Sequence, residues 1–265
     1  MNKPDWFKSA GFNPTDIDLY YSLLLNICKH KNFKVKQIGT ISNYPIYLIN
    51  KLTNPNNKSI LFSAGFHGEE PAPPWGILLF LYLANDKLIN QCNISFLPIV
   101  NPTGIVFGTR NNGWNENPNS GYCHNDIKDN KSKEGMVLLD NLPLLLLLSK
   151  DSFISLHEDN TNDKFYLYTY EKRNSPGKFT NMLFNIESKI FKPLSDDDPI
   201  ANEYPEIGTI KNGIGFNHHD GSFEDFMFHK GIPLTACTET PGLFNVKLRI
   251  RANALIVSNC VSYFK

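Results

Sequence analysis

The segment ILFSAGFHGEEPAPPWG, Ile60 to Gly76, decides how the rest of the chain is read. A run of apolar and small residues stops abruptly at His67, and Glu69, Glu70 and a cluster of prolines follow. A short apolar run bounded by turn residues is the pattern of a strand buried on both faces, as in a parallel sheet under helices. Polar groups placed where such a strand ends are at the edge of the sheet at which open α/β folds bind ligands. His67 and Glu70 are three residues apart, a spacing that brings both side chains to one side of a turn, while Pro71, Pro73 and Pro74 stiffen the exit. Glu69, two positions after His67, is expected to point elsewhere.

Outward from this point, strand-like and helix-like segments alternate. DIDLYYSLLLNICKHKN has helical spacing behind an aspartate cap, and FKVKQIGTI and PIYLINKLT alternate as two strands joined by a turn at Asn43, an antiparallel edge. After SILFSAGF come a helix over about 74–83, the strand NISFLPIV, a leucine-rich helix near 136–149, the strands SFISLHE and FYLYTY, and a helix over about 178–191. The chain closes with a helix in GSFEDFMFHK, a strand in IPLTACTET and a long helix in NVKLRIRANALIVSNCVSYF. This alternation predicts an α/β fold with a mixed, mostly parallel sheet and helices on both faces. No repeat or linker divides the 265 residues, so a single domain over 1–265 is expected. The Asn- and Gly-rich stretch from Thr109 to Lys133 is the least regular part, and a loop of that length in a compact domain is usually either functional or disordered.

Three strands end on groups that bind metals or move protons: His67 with Glu70, then His157 after SFISL, then Glu239 after PLTACT. Strands distant in sequence aim such groups into one crevice. Two imidazoles and one carboxylate leave a fourth position on zinc open, the arrangement of a catalytic site and not of a closed structural one. Glu239 is then available to accept a proton from water, and Glu158, Asp159 or Asn101 to accept the free ring N–H of a ligating histidine.

Composition narrows the partners. Lys plus Arg equals Asp plus Glu at 26 each, so no long-range field draws the chain to nucleic acid or an anionic membrane. The five cysteines, including Cys123, contain no CxxC pair and read as reduced, mostly packing thiols. The first residues, MNKPDWFKSAGFNPTD, have no apolar targeting core, and LPLLLLL falls far short of the roughly 20 residues that span a bilayer. A cytoplasmic location and a small, neutral or mixed-charge ligand are expected.

These residues resemble, over Ile60 to Glu239, the zinc carboxypeptidases of the M14 type, including the succinylglutamate desuccinylase and aspartoacylase branch. The likeness lies in His67 and Glu70 as an HxxE pair, in NPTG (Asn101 to Gly104) followed by Arg110, in Asn119 of NPNSGY, in His157, and in GSFEDFMFHKGIPLTACTE, which ends on Glu239. The resemblance implies a zinc carboxypeptidase-like fold and one zinc per chain on His67, Glu70 and His157. It also implies Glu239 as catalytic base, Arg110 as the contact of an oxyanion or carboxylate, and Asn119 in substrate binding. One position departs from the pattern: Ser120 follows Asn119 where the family carries an arginine that grips the substrate's terminal carboxylate, and serine offers no bidentate fork.

The chain has four arginines, Arg110, Arg173, Arg249 and Arg251. The last two fall in the predicted terminal helix, which leaves Arg173, after YLYTYEK, as the replacement clamp. His218 and His219 occupy a place where the family carries a residue over the substrate; being adjacent, at most one faces the site, and His218 is taken as the candidate. His124 and His229 read as structural or solvated, Tyr166, Tyr168 and Tyr170 as packing, and Phe223 as part of an apolar side-chain pocket. The expected activity is amide hydrolysis of a short peptide or peptide-like substrate. An N-acyl amino acid deacylase and a non-catalytic zinc-binding module are the alternatives.

Overall fold

The computed structural model describes residues 4–122, 131–203, 205 and 208–265. Its strands are β1 (Lys34–Ile41), β2 (Tyr44–Lys51), β3 (Ser59–Ala64), β4 (Asn93–Leu97), β5 (Ser152–Asp159), β6 (Lys164–Glu171), β7 (Lys192–Pro193), β8 (Ile210–Lys211), β9 (Ile214–Phe216) and β10 (Leu234–Pro241). Its helices are α1 (Asp5–Lys8), α2 (Ile17–His30), α3 (Ala72–Leu83), α4 (Asp86–Ile89), α5 (Pro102–Phe107), α6 (Lys133–Asp140), α7 (Leu142–Leu148), α8 (Lys178–Glu187), α9 (Phe223–His229) and α10 (Val246–Tyr263). The sheet runs β1-β2-β4-β3-β5-β10-β6-β9-β8, with β7 beside β6. Its centre, β4-β3-β5-β10, is parallel, whereas β1 and β2 on one side and β6 against β10 on the other are antiparallel. The mixed sheet is as expected, with its parallel part concentrated in the centre.

Every residue of β3 is buried because both faces are covered. Ile60, Phe62 and Ala64 join one core with α2, α3 and α10, and Leu61 joins the opposite core with Leu145 and Leu148 of α7 and Phe226 of α9. The alternation of side chains along a strand thus feeds two apolar layers instead of one layer and water. α3 is apolar on nearly all sides since it lies between the sheet, α2 and α10. Trp75 in its first turns is 1% exposed, stacks edge-on with Tyr20 and donates its Nε1–H to the Pro14 carbonyl at 2.7 Å. Truncating a buried tryptophan of this kind typically costs about 3–5 kcal/mol.

The α2 cap at Asp16, whose side chain accepts from Leu19 N at 2.9 Å, and the β1–β2 turn, where Ser42 has φ 53°, fall where the sequence places them. The leucine-rich helix differs. It divides into α6 and α7 at Asn141, because Pro143 has no N–H to continue the ladder and the Asn141 side chain instead donates to the carbonyls of Val137 and Ile38. α8 ends at Glu187, short of the expected 191, and α5 forms in NPTG where the sequence suggests only a turn. Among the described residues, no helix is long and apolar enough to cross a membrane.

Candidate metal centre and cleft

The site begins where β3 leaves the sheet. Gly65 has φ +64°, and a Cβ there would stand 3.3 Å from Ile99 Cα, so the chain turns sharply against β4's exit at a position that favours glycine. Gly68 permits a still closer approach: a Cβ would lie 1.8 Å from the Gly104 carbonyl carbon. Its N–H donates to the Thr109 carbonyl at 2.8 Å, which presses the His67 turn onto the NPTG helix. Asn101, fully buried, ties the two segments together. Its side chain caps α5 by accepting from Gly104 N at 2.8 Å, and its amide donates to the carbonyls of Phe66 at 3.1 Å and Arg110 at 3.3 Å.

This packing delivers His67 and Glu70 to His157 on β5. His67 Nδ1 lies 2.6 Å from Glu70 Oε1 and His157 Nδ1 lies 2.9 Å from Glu70 Oε2, with the two rings 5.0 Å apart. One donor atom from each residue comes within 4.8 Å of the other two, and all three side chains are buried. Burial lowers the affinity of His67 for a proton, despite the pull of Glu70. Burial would likewise lower His157, but the Glu70 carboxylate reverses that and pushes it up to about 9. Burial would raise Glu70; the imidazoles on either side hold it well below the usual carboxylate range instead. The group therefore concentrates an ionised carboxylate and imidazole nitrogens around one point, which is the donor chemistry of a three-residue zinc site. Each remaining ring nitrogen has a partner: His67 Nε2 is 3.1 Å from Asn117 Oδ1, and His157 Nε2 is 2.8 Å from Ser155 Oγ, which Ser63 Oγ supports at 3.1 Å.

Register aligns the remaining machinery. On parallel β5 and β10, His157 pairs with Glu239 and Ser155 with Cys237; on antiparallel β6, Tyr166 pairs with Glu239 and Tyr168 with Cys237. Paired residues share a sheet face, so these six side chains form two rows across three strands. Four of them, Tyr166, Tyr168, Cys237 and Glu239, line a cleft of about 790 Å³ into which His67, Arg110, Asn119, His218 and Glu224 also open. Burial, only partly offset by His157, pushes Glu239 up to about 8. Arg110 Nη1 stands 3.7 Å from Glu70 Oε1 and 3.9 Å from Glu69 Oε1, with its side chain half-exposed. The Asn119 amide lies 3.5 Å from both His157 Nε2 and Glu224 Oε1, while its carbonyl oxygen accepts from Phe223 N at 3.1 Å.

Several sequence expectations change. Arg173 does not reach the cleft. β6 runs antiparallel to β10, with Tyr166 opposite Glu239 and Glu171 opposite Leu234, so Arg173 lies beyond the far end of the pairing. At about 3.3 Å per residue this separates it from the Glu239 row by roughly 20 Å; its guanidinium sits 3.9 Å from Glu171. Asn101, Glu158 and Asp159 do not orient the histidines. Asn101 caps α5, Glu158 bonds Ala72 N at 2.9 Å and Arg249 Nη1 at 2.7 Å, and Asp159 accepts from the Tyr166 hydroxyl at 3.1 Å. Asn117 and Ser155 hold those ring nitrogens, and the signal for Ser155 was its place two residues before His157 on the same strand face. Glu69 stays out of the trio yet lines the cleft.

Of the adjacent histidines, His218 lines the cleft, buried against Tyr168, and His219 turns to Asp225. Tyr166 and Tyr168 line the cleft instead of merely packing, whereas Phe223 is core, in contact with Tyr122 and Phe153. The residue of α9 that does face the cleft is Glu224, pushed up to about 7 chiefly by burial. Cys237 also lines it, and His124 and Cys123 lie outside the described residues.

No protein-family model matches the chain, and no curated protein does by sequence. Solved structures do. A protein of Shewanella amazonensis SB2B, provisionally named a metallopeptidase, matches with a TM-score of 0.90 and 34% identity over 99% of this chain and 97% of its own. One of Shewanella baltica OS155, named in the same way, gives 0.90 and 35% over 100% and 97%. A metallo-carboxypeptidase from Burkholderia cenocepacia matches at a TM-score of 0.64 and 16% identity, over 93% of this chain and 68% of its own, a likeness of fold alone.

Proposed function

Because the chain belongs to the metallopeptidase family of the two Shewanella proteins and shares its fold with a metallo-carboxypeptidase, we propose that it is a zinc-dependent hydrolase of the M14 type that cleaves an amide bond of a short peptide, with one zinc held by His67, Glu70 and His157. The observation that carries this reading is the convergence of that buried trio beside Glu239, with His67 and Glu239 both lining one cleft. When bound, zinc supplies Lewis acidity at the scissile carbonyl and brings the acidity of water toward neutrality. Glu239 takes a proton from the attacking water as the carbon–oxygen bond forms, and returns it to the amide nitrogen as the carbon–nitrogen bond breaks. Arg110 offers N–H donors to the oxygen on which negative charge gathers. Ser155 and Asn117 fix the two imidazoles, and Asn119, whose amide lies 3.5 Å from His157 Nε2, steadies the substrate.

Charge favours a peptide over the acyl amino acids. Glu69, Asp159, Glu203, Asp220, Glu224 and Glu239 line the cleft, and Arg110 is the one Lys or Arg among its described lining residues. A substrate bearing two or more carboxylates, such as a succinylated or acetylated acidic amino acid, meets repulsion there that a neutral or amine-bearing peptide does not. The adjacency of Glu239 to the trio likewise favours an enzyme over a module that only binds metal.

The test is a hydrolysis screen of the zinc-loaded protein against short peptides, cell-wall-type peptides and N-acyl amino acids. Peptide turnover with no release of acetate or succinate is expected. Turnover confined to N-acyl amino acids would favour the deacylase, and absence of all turnover with zinc bound would favour the binding module.

A further inference from the structure

Beyond the cleft, α9 carries a second convergence of metal-binding groups. Asp225 and His229 are four residues apart on one helix face, and His219 reaches them from the preceding segment. His219 Nδ1 lies 2.7 Å and His229 Nδ1 lies 3.0 Å from Asp225 Oδ1, with the two rings 4.8 Å apart. One donor atom from each residue falls within 4.8 Å of the other two. We propose that His219, Asp225 and His229 form a second divalent-metal site, for zinc or a similar imidazole-binding ion, separate from the buried centre.

The geometry repeats that of the first centre. There, two imidazole Nδ1 atoms meet one glutamate at 2.6 and 2.9 Å; here, two meet one aspartate at nearly the same distances, on a single oxygen. A divalent ion would bind through the ring nitrogens and the carboxylate oxygen brought together here, and at His229 it would displace the 3.0 Å contact of Nδ1 with the Asp225 backbone carbonyl. Two imidazoles and a carboxylate suit zinc, copper and nickel far better than magnesium or calcium.

The ligands are also held. The other oxygen of Asp225 accepts from Gly221 N at 3.0 Å, which fixes the carboxylate and aims Oδ1 at the histidines. Asp225 is 4% exposed, so its orientation is set by packing. The His219 ring packs beside Tyr170 at 5.7 Å and Phe228 at 6.1 Å, which also touch each other at 5.8 Å, and Phe228 contacts His229 as well. Both histidine side chains retain solvent access, at 44% and 31%, which leaves an entry path and room for water to complete the coordination. His219 sits between His218 and Asp220, both of which line the cleft, so an ion here ties one wall of the cleft to α9.

The test is zinc titration of the chelator-treated protein by calorimetry, with metal analysis after desalting. Wild type is expected to take up two zinc ions per chain, the more exposed one more weakly. His219→Ala and His229→Ala, which leave the buried Asp225 in place, should each weaken the second event at least about tenfold while the first is unchanged. His157→Ala should lose the tight ion and keep the weaker one, which separates this site from the centre in the cleft. A single zinc per chain in wild type at saturation, or a second event of equal strength in both His219→Ala and His229→Ala, would overturn the proposal. Circular dichroism on each variant confirms that folding is retained, and with two variants the loss of one to misfolding leaves the other decisive.

Discussion

His157 and Glu239 stand side by side on neighbouring parallel strands, paired directly in register between β5 and β10. One belongs to the buried trio and the other does not, although both project onto the same face of the sheet. The carboxylate is thus placed next to a metal ligand and remains free to move a proton. Glu239→Gln should keep the fold and the ion in the buried centre and lose about 10² to 10⁴ in kcat. Steady-state kinetics with metal analysis measure this; equal kcat in the variant would transfer the role to another cleft carboxylate, Glu224 first.

Removal of a ligand should have the opposite profile. His67→Ala and His157→Ala are expected to lose the ion of the buried centre, one zinc per chain fewer than wild type, while Glu69→Ala retains it, since Glu69 is outside the trio. Full retention in His157→Ala would dissolve the proposed ligand set.

Ser155 reports on support of the centre from behind. Its hydroxyl is 2.8 Å from His157 Nε2 and braced by Ser63. Ser155→Ala removes one oxygen and little volume, so stability should barely change, yet zinc affinity should fall about 10- to 100-fold. Competition against a chromophoric chelator gives the number, and unchanged affinity would remove Ser155 from any orienting role.

The two arginines raised by the sequence separate cleanly. On matched substrates with a free C-terminal carboxylate and its amide, Arg173→Ala should behave as wild type, its guanidinium being near Glu171 and away from the cleft. Arg110→Ala, which loses the contact with the developing oxyanion, should lower kcat/KM for both substrates by about ten- to a hundredfold, the worth of a charge-assisted hydrogen bond. Selective loss in Arg173→Ala would require a different course for the chain after β6.

Glu187 predicts a pH dependence of stability. It is fully buried in α8, neither carboxylate oxygen has a hydrogen-bond partner among the described residues, and burial raises its pKa well above the usual value. The folded state therefore holds a proton that the unfolded chain releases near pH 4.5. Between that pH and the raised folded pKa, the native state binds more protons than the unfolded one. Stability consequently falls as pH rises, by at most about 1.4 kcal/mol per pH unit. Glu187→Gln has no proton to lose, so its Tm should gain on wild type steadily from pH 5 to pH 8. A Tm difference that stays constant over that range would show that Glu187 titrates normally.

Much was legible because it is local. The period of α2 and α10, the apolar run of β3 and the proline-stiffened HxxE turn depend on neighbours a few residues away, and such preferences survive in almost any context. His67, Glu70, His157 and Glu239 were accessible for the same reason, each being a polar group at the end of an apolar strand. The direction in which β6 enters the sheet was not legible: a period-two pattern is the same read forward or backward, and only pairing with β10 makes the strand antiparallel and carries Arg173 to the far end. Nor could composition tell that Glu224, and not Phe223, faces the cleft, since a helix of aromatic and acidic residues rotates to whichever face its neighbours leave apolar, here Tyr122 and Phe153. The sequence by itself determined which groups could hold a metal and move a proton. Tertiary structure alone decided which nitrogens meet which oxygens, because those distances are set by strand order, register and packing among residues 50, 87 and 105 positions apart.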